Sequence, residues 1–137
     1  MAYWLMKAEP DDYAWDQLVA DGETEWTGVR NYAAALNMRA MRLGERAFFY
    51  RSVVEPAIVG VMTIAREAYP NPDEPDGKFS RVRVRPQAPA AREVPLRAIK
   101  ADPRFADLAL VRQSRLSASP VGEEHWRVLC GMAGVKA

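Results

Sequence analysis

Apolar positions fall along the chain in short blocks whose period changes from one block to the next. Residues 2–7 (AYWLMK) form a compact, aromatic-rich run that stops at Glu9-Pro10-Asp11-Asp12, and they predict a strand. Asp11 or Asp12 is placed to cap a helix through Leu18 and Val19, which Gly22 ends. After the turn WTGVRN, Asn31 is a cap for a second helix. Its stripe Tyr32, Ala35, Leu36 and Leu43 has helical spacing, and Gly44 closes it. Residues 47–50 (AFFY) and 57–65 (AIVGVMTIA) predict central strands, with Glu55-Pro56 as the turn between them.

Residues 69–77 (YPNPDEPDG) hold too many prolines and acids for regular structure and read as a surface loop. Residues 79–85 alternate, with Val82 and Val84 on one face and Arg81, Arg83 and Arg85 on the other, as in a half-buried strand with a basic outer side. Residues 95–99 and 103–108 predict short helices, and residues 111–121 a loop feeding a strand. Residues 123–132 predict a closing helix that turns Trp126 and Leu129 inward. Strands and helices mix without a βαβ rhythm, and no internal repeat is present. The pattern fits an α+β fold, a small β-barrel with helices around it, as one domain over residues 1–137.

Composition narrows the chemistry. A chain of 137 residues that is 49% hydrophobic and 27% charged has the balance of a soluble globular domain. No apolar run approaches the ~20 residues of a membrane helix. The first residues lack the basic-then-apolar order of a secretory signal, so a cytoplasmic location is expected and no membrane partner. One cysteine, Cys130, and one histidine, His125, are too few for an internal disulfide or the usual zinc sets. The eight glycines never form GxGxxG or GxxxxGK[ST], which argues against dinucleotide and nucleotide phosphate cradles. Neither metal nor cofactor is expected.

His125 lies beside Trp126 on the last predicted helix, where a surface or capping role suits it. Cys130, on the same apolar helix, reads as a small hydrophobe. Net charge is only +1, yet fifteen of the nineteen basic residues are arginine, whose planar fork stacks on rings and pairs with phosphates or base edges. Trp26, Arg30, Asn31, Tyr50, Ser52, Arg112, Gln113 and Ser114 together supply stacking rings and edge-reading donors, the equipment for holding an unpaired base. The same residues serve equally as core rings, a helix cap and surface cations, and residue types alone leave both readings open.

The blocks YWLMKAEP, WDQL, WTGVRNYAA, LGERAFFYRS, IVGVMTIAREAYP, LVRQSRLSASPV and EEHWRVLC, in this order and spacing, resemble the EVE domain family over nearly the whole chain. The resemblance implies a PUA-like fold related to the YTH and ASCH domains. It also implies a non-enzymatic reader whose pocket accepts a modified nucleobase, a modified cytosine or adenine in DNA or RNA. Matched block by block, the implied base pocket comprises Lys7 and Glu9; Trp26, Gly28, Val29, Arg30 and Asn31; Tyr50 and Ser52; and Arg112, Gln113 and Ser114. Four places depart from the family pattern. Ala8 and Ala14 replace hydroxyl residues, Arg51 replaces a histidine, and residues 71–80 are shorter than usual.

On this reading Trp26 or Tyr50 stacks on the extruded base, Asn31 and Ser52 read its edge, and Arg30, Arg51 and Arg112 meet phosphates, with Arg81 and Arg83 as further phosphate contacts. The partner is nucleic acid, the chain is expected to act as a monomer, and no residue is assigned a catalytic role. Two alternatives stand beside it. One is an enzyme acting on a nucleobase or nucleotide with Glu9 as general base. The other is a general RNA-binding module using the Arg81, Arg83 and Arg85 face, a face that also reads as an ordinary solvated strand surface.

Overall fold

A computed structural model describes residues 1–27, 29, 31–70 and 80–137. The elements along the chain run β1 (Tyr3–Ala8), α1 (Trp15–Asp21), β2 (Thr24–Trp26), α2 (Tyr32–Ala40), β3 (Arg46–Arg51), β4 (Ala57–Tyr69) and β5 (Arg81–Pro95). It continues with α3 (Leu96–Ala101), a 3-10 turn (Pro103–Phe105), α4 (Ala109–Arg112), β6 (Ala118–Val121) and α5 (Glu123–Ala133). The strands form one mixed sheet in the order β2-β5-β4-β3-β1-β6. Only β1 and β3 are parallel, so their C-terminal ends, Ala8 and Arg51, lie side by side at one end of the sheet.

Strand alternation divides the apolar residues between the two faces. Trp4 and Met6 of β1, Ala47 and Phe49 of β3, Val82 and Val84 of β5 and Trp26 of β2 share one cluster with Leu18 of α1 and Ala34, Ala35 and Met38 of α2. Leu5, Phe48 and Tyr50 turn the other way and pack with Ile99, Phe105, Leu110, Trp126 and Leu129 from the helices on the opposite face. There Trp126 stacks between Phe48 at 4.0 Å and Tyr3 at 4.6 Å. Its fully buried indole Nε1 has no hydrogen-bond partner among the described residues. Residues from β2, at one edge, and β1, next to the other edge, line a single cavity, so the sheet curls into a half-barrel around α1 and α2.

Several expectations are corrected. Ala14, not Asp11 or Asp12, takes the cap position of α1. It has no side-chain acceptor, and Gln17 Oε1 instead accepts from Ala14 N at 2.7 Å. Asn31 does cap α2, its Oδ1 accepting from Ala34 N at 3.0 Å. The buried stripe of α2 is Ala34, Ala35 and Met38, whereas Tyr32 and Leu36 are exposed. The small alanines let α2 sit close under the curled sheet, so the bulkier side chains point outward. The helix ends at Ala40, and Gly44 forms a later turn at φ +85°.

β2 occupies what the sequence pattern leaves as the approach to a turn. β5 extends ten residues past Arg85, with register shifts against β4 that accommodate Pro86 and Pro89. Residues 103–108 supply only a 3-10 turn, while Ala109–Arg112 form a short helix within the expected loop. The expected surface loop lies, from residue 71 onward, outside the described residues, as does Phe79.

Candidate functional site

A cavity of about 670 Å³ opens where the ends of β1, β2 and β3 meet. Lys7, Ala8 and Glu9 enter it from the end of β1, and Ser52 from the end of β3. Asp11, Asp12 and Tyr13 enter from the turn before α1. That turn closes on Glu9, whose carbonyl accepts from Asp12 N and Tyr13 N, both at 2.9 Å. Thr24, Glu25, Trp26 and Thr27 contribute from β2, and Ser117 from the approach to β6. Two parallel strands ending together, with Ser52 N donating to Ala8 O at 2.9 Å, give this rim its rigidity.

Trp26 is only 5% exposed and meets Phe49 edge-on at 5.6 Å, so most of its ring is core and an edge remains for the cavity. Tyr13 supplies the second ring, half-buried, with its hydroxyl donating to Asp21 at 2.7 Å. Burial, followed by Asp21, raises the Tyr13 phenol above its ordinary range, so it stays a neutral donor. Lys7 is a tether rather than a free cation. Its Nζ donates to Ser114 O at 2.8 Å and lies 5.8 Å from the Tyr50 ring centre, and burial lowers its pKa. Lys7 N also donates to Ser117 O at 2.9 Å, so one residue fixes both ends of the 114–117 segment.

The cavity is acidic. Among the described residues, Glu9, Asp11, Asp12 and Glu25 face it against one cation, Lys7. Glu25 is already engaged, by Tyr69 at 2.6 Å and Arg81 at 2.8 Å. The carboxylates of Glu9, Asp11 and Asp12 have no hydrogen-bonding or ion-pair partner among the described residues. Such oxygens accept from amino groups and repel phosphate.

Asn31, Arg112, Gln113 and Ser114 lie elsewhere, around an open hollow of about 340 Å³ that also touches Arg115 and Leu116. Leu116 and Ser117 are consecutive, so the two hollows back onto one segment of chain. Arg112 is exposed and makes one loose contact of 3.4 Å with Asp107; Arg115 has no partner among the described residues. Val29 is buried, while Gly28 and Arg30 lie outside the described residues.

Five assignments need correction. Tyr50 is 3% exposed and sits on the opposite face of the sheet from Trp26, because strand alternation turns it with Phe48 toward α5. It does not line the cavity. Asn31 spends its side-chain oxygen on the α2 cap. The arginines assigned to phosphate are paired internally: Arg51 grips Glu93 with two bonds of 2.7 and 2.9 Å, Arg81 binds Glu25, and Arg83 binds Glu23. The cause is register. β2 pairs antiparallel with β5, setting Glu25 opposite Arg83 and bringing Glu23 against Arg83 and Arg85. Hydrogen bonds from Arg83 and then Arg85 hold the Glu23 carboxyl below its ordinary range.

The site residues that sequence reasoning does not reach are Tyr13, Thr24, Glu25, Thr27 and Ser117, while Asp11 and Asp12, better explained from sequence as helix-start residues, line the cavity instead. The available signal was the clustering of carboxylates and a tyrosine immediately after the first strand.

The EVE domain profile matches residues 2–132. The chain belongs to the EVE domain family. Human thymocyte nuclear protein 1 is 34% identical over 91% of this chain and 71% of its own length. The structure of that human protein in complex with 5-methylcytosine-containing DNA superposes with a TM-score of 0.89 at 31% identity, covering all of both chains. A protein of Rhodopseudomonas palustris, determined by NMR, matches at 50% identity and TM-score 0.92, covering 98% of this chain and 94% of its own. The YTH domain of the Zygosaccharomyces rouxii MRB1 protein, in complex with N6-methyladenosine RNA, shares the fold at 14% identity. Its TM-score is 0.62, over 99% of this chain and 89% of its own. The fold is thus the PUA-like one.

The positions that the resemblance marks as departures have locations in this EVE domain. Ala8 lies in the cavity wall itself. Ala14 takes the cap position of α1 without a side-chain acceptor, and Gln17 holds the helix start. Arg51 is turned away from the cavity, onto Glu93 and the carbonyls of Val54 and Glu55.

Proposed function

We propose that this EVE domain is a non-enzymatic reader that takes an extruded, modified nucleobase into the cavity of about 670 Å³ between Trp26 and Tyr13. The observation that carries the reading is the convergence on that cavity of two aromatic rings and three carboxylates, Glu9, Asp11 and Asp12, that have no partner among the described residues. Carboxylates accept from the exocyclic amino group of cytosine or adenine, and thymine offers no such group. The human relative whose structure contains 5-methylcytosine DNA supports cytosine as the base to test first.

Tyr13 and the exposed edge of Trp26 bound the faces of the base, while Ser52, Thr27 and Ser117 supply hydroxyls at its rim. Phosphates stay outside the acidic cavity and meet Arg112 and Arg115 at the neighbouring hollow. A carboxylate general base at Glu9 has no imidazole beside it, because His125 sits on α5 with its Nε2 2.8 Å from Arg104 O. The pairing of Arg81, Arg83 and Arg85 with Glu23 and Glu25 weighs against a general RNA-binding role for that face of β5.

The test is a titration of labelled oligonucleotides that differ only by one cytosine 5-methyl group. A buried methyl contributes about 0.8 kcal/mol, so a preference of at least about fourfold is expected. Equal affinity for methylated and plain strands, repeated with methylated adenine, overturns the reading.

A further inference from the structure

Beside the cavity the chain makes a turn that local energetics disfavour. Val53 stands at φ +71° and Glu55 at φ +46°. A β-branched residue in the left-handed region is strained, and such strain persists only where the surroundings impose it. Here they do. Arg51 Nε donates to the carbonyls of Val54 and Glu55, both at 3.1 Å, and its Nη2 donates to Glu55 O at 2.8 Å. The same guanidinium is held from behind by Glu93, and Val54 N donates to Ser52 O at 2.8 Å.

What this anchoring presents is apolar. Val53 is 70% exposed and Val54 54% exposed, and Val53 directly follows Ser52, which lines the cavity. An anchored pair of largely exposed valines beside the cavity adds little to the fold, since a glycine at 53 would relieve the strain and give up a side chain that is already 70% exposed.

We infer that the Val53-Val54 turn is a wedge that enters a nucleic-acid duplex at the step vacated by the extruded base. The inference rests on the base-reading function proposed above. Extruding a base unstacks it from its neighbours, and apolar side chains inserted between base steps offset that loss. Insertion demands a tip that does not yield, which three hydrogen bonds from Arg51 to the carbonyls of Val54 and Glu55 provide, with two more to Glu93 fixing the guanidinium. A single strand needs no wedge, because its bases are already free of a partner.

The probes are a duplex DNA with one central 5-methylcytosine, the same methylated strand alone, and both without the methyl group. Val53→Gly removes the side chain and the strain together; Val54→Ser removes apolar character without altering the turn. Both variants are expected to bind duplex about tenfold more weakly than wild type, with single-strand affinity unchanged. Val53→Gly is expected to melt no lower than wild type, separating this loss from damage to the fold. Equal weakening for duplex and single strand makes the turn part of the cavity wall and overturns the wedge, as does unchanged duplex affinity. The duplex-to-single-strand ratio is read on either base, so a wild type indifferent to the methyl group counts against base reading alone.

Discussion

A β-carbon built on Gly60 falls 2.5 Å from Cζ3 of Trp15. The indole lies flat on the bare backbone of β4, edge-on to Phe49 at 5.5 Å, and this seats α1 against the sheet. Gly60→Ala should destabilise the fold by about 1–3 kcal/mol, as overpacking does. Trp15→Leu in the same chain should recover part of that loss, and a double-mutant cycle by urea denaturation measures the coupling. Additive losses would place the strain elsewhere.

The buried carboxylate Glu45 accepts from Trp4 Nε1 and Ala2 N, both at 2.9 Å, and from Arg42 N at 2.7 Å. Burial alone would raise its pKa, but the donors, Trp4 foremost, outweigh it and hold the value low. Its contribution is therefore complete above the unfolded carboxyl's titration near about pH 4.3 and is lost as pH falls through the lower folded value. Glu45→Gln leaves one acceptor oxygen for three donors and should cost about 1–3 kcal/mol at pH 7. Melting curves should show the gap between wild type and variant narrowing as pH falls below 4.

Cys130 is fully buried, and burial pushes its thiol up to about 11. At pH 8 it should resist thiol reagents in the folded state and label only at the rate of unfolding. As pH rises past the ordinary thiol range the unfolded chain ionises first, so Cys130 lowers stability progressively up to about pH 11. Cys130→Ala should lack that part of the decline, and stability curves from pH 7 to 10 compare the two.

Tyr13 and Tyr50 separate the cavity from the core. Removing the Tyr13 ring with Tyr13→Ala should weaken binding of the methylated strand by about 1–3 kcal/mol. Tyr50→Phe, on the other face of the sheet, should leave binding unchanged. Titrations giving the reverse order would relocate the site.

Local periodicity and local chemistry determined much of this protein. The aromatic run at Tyr3–Ala8, the alternation at Val82 and Val84, the Asn31 cap, the left-handed Gly22 and the inward Trp126 and Leu129 each follow from neighbours within a turn or a strand. The ordered motif blocks identified the family. Tertiary structure alone decided which polar groups are free. Arg81 and Arg83 read as an open basic face until β2 sets Glu23 and Glu25 against them, some sixty residues away in sequence. Tyr50 reads as a pocket ring until the pleat turns it toward α5, and Asp11 and Asp12 read as helix caps until the curl of the sheet brings β2 across to them. Periodicity records which side of an element is apolar. Pairing register and sheet curvature decide what each polar side meets, because those depend on contacts between segments that are distant along the chain.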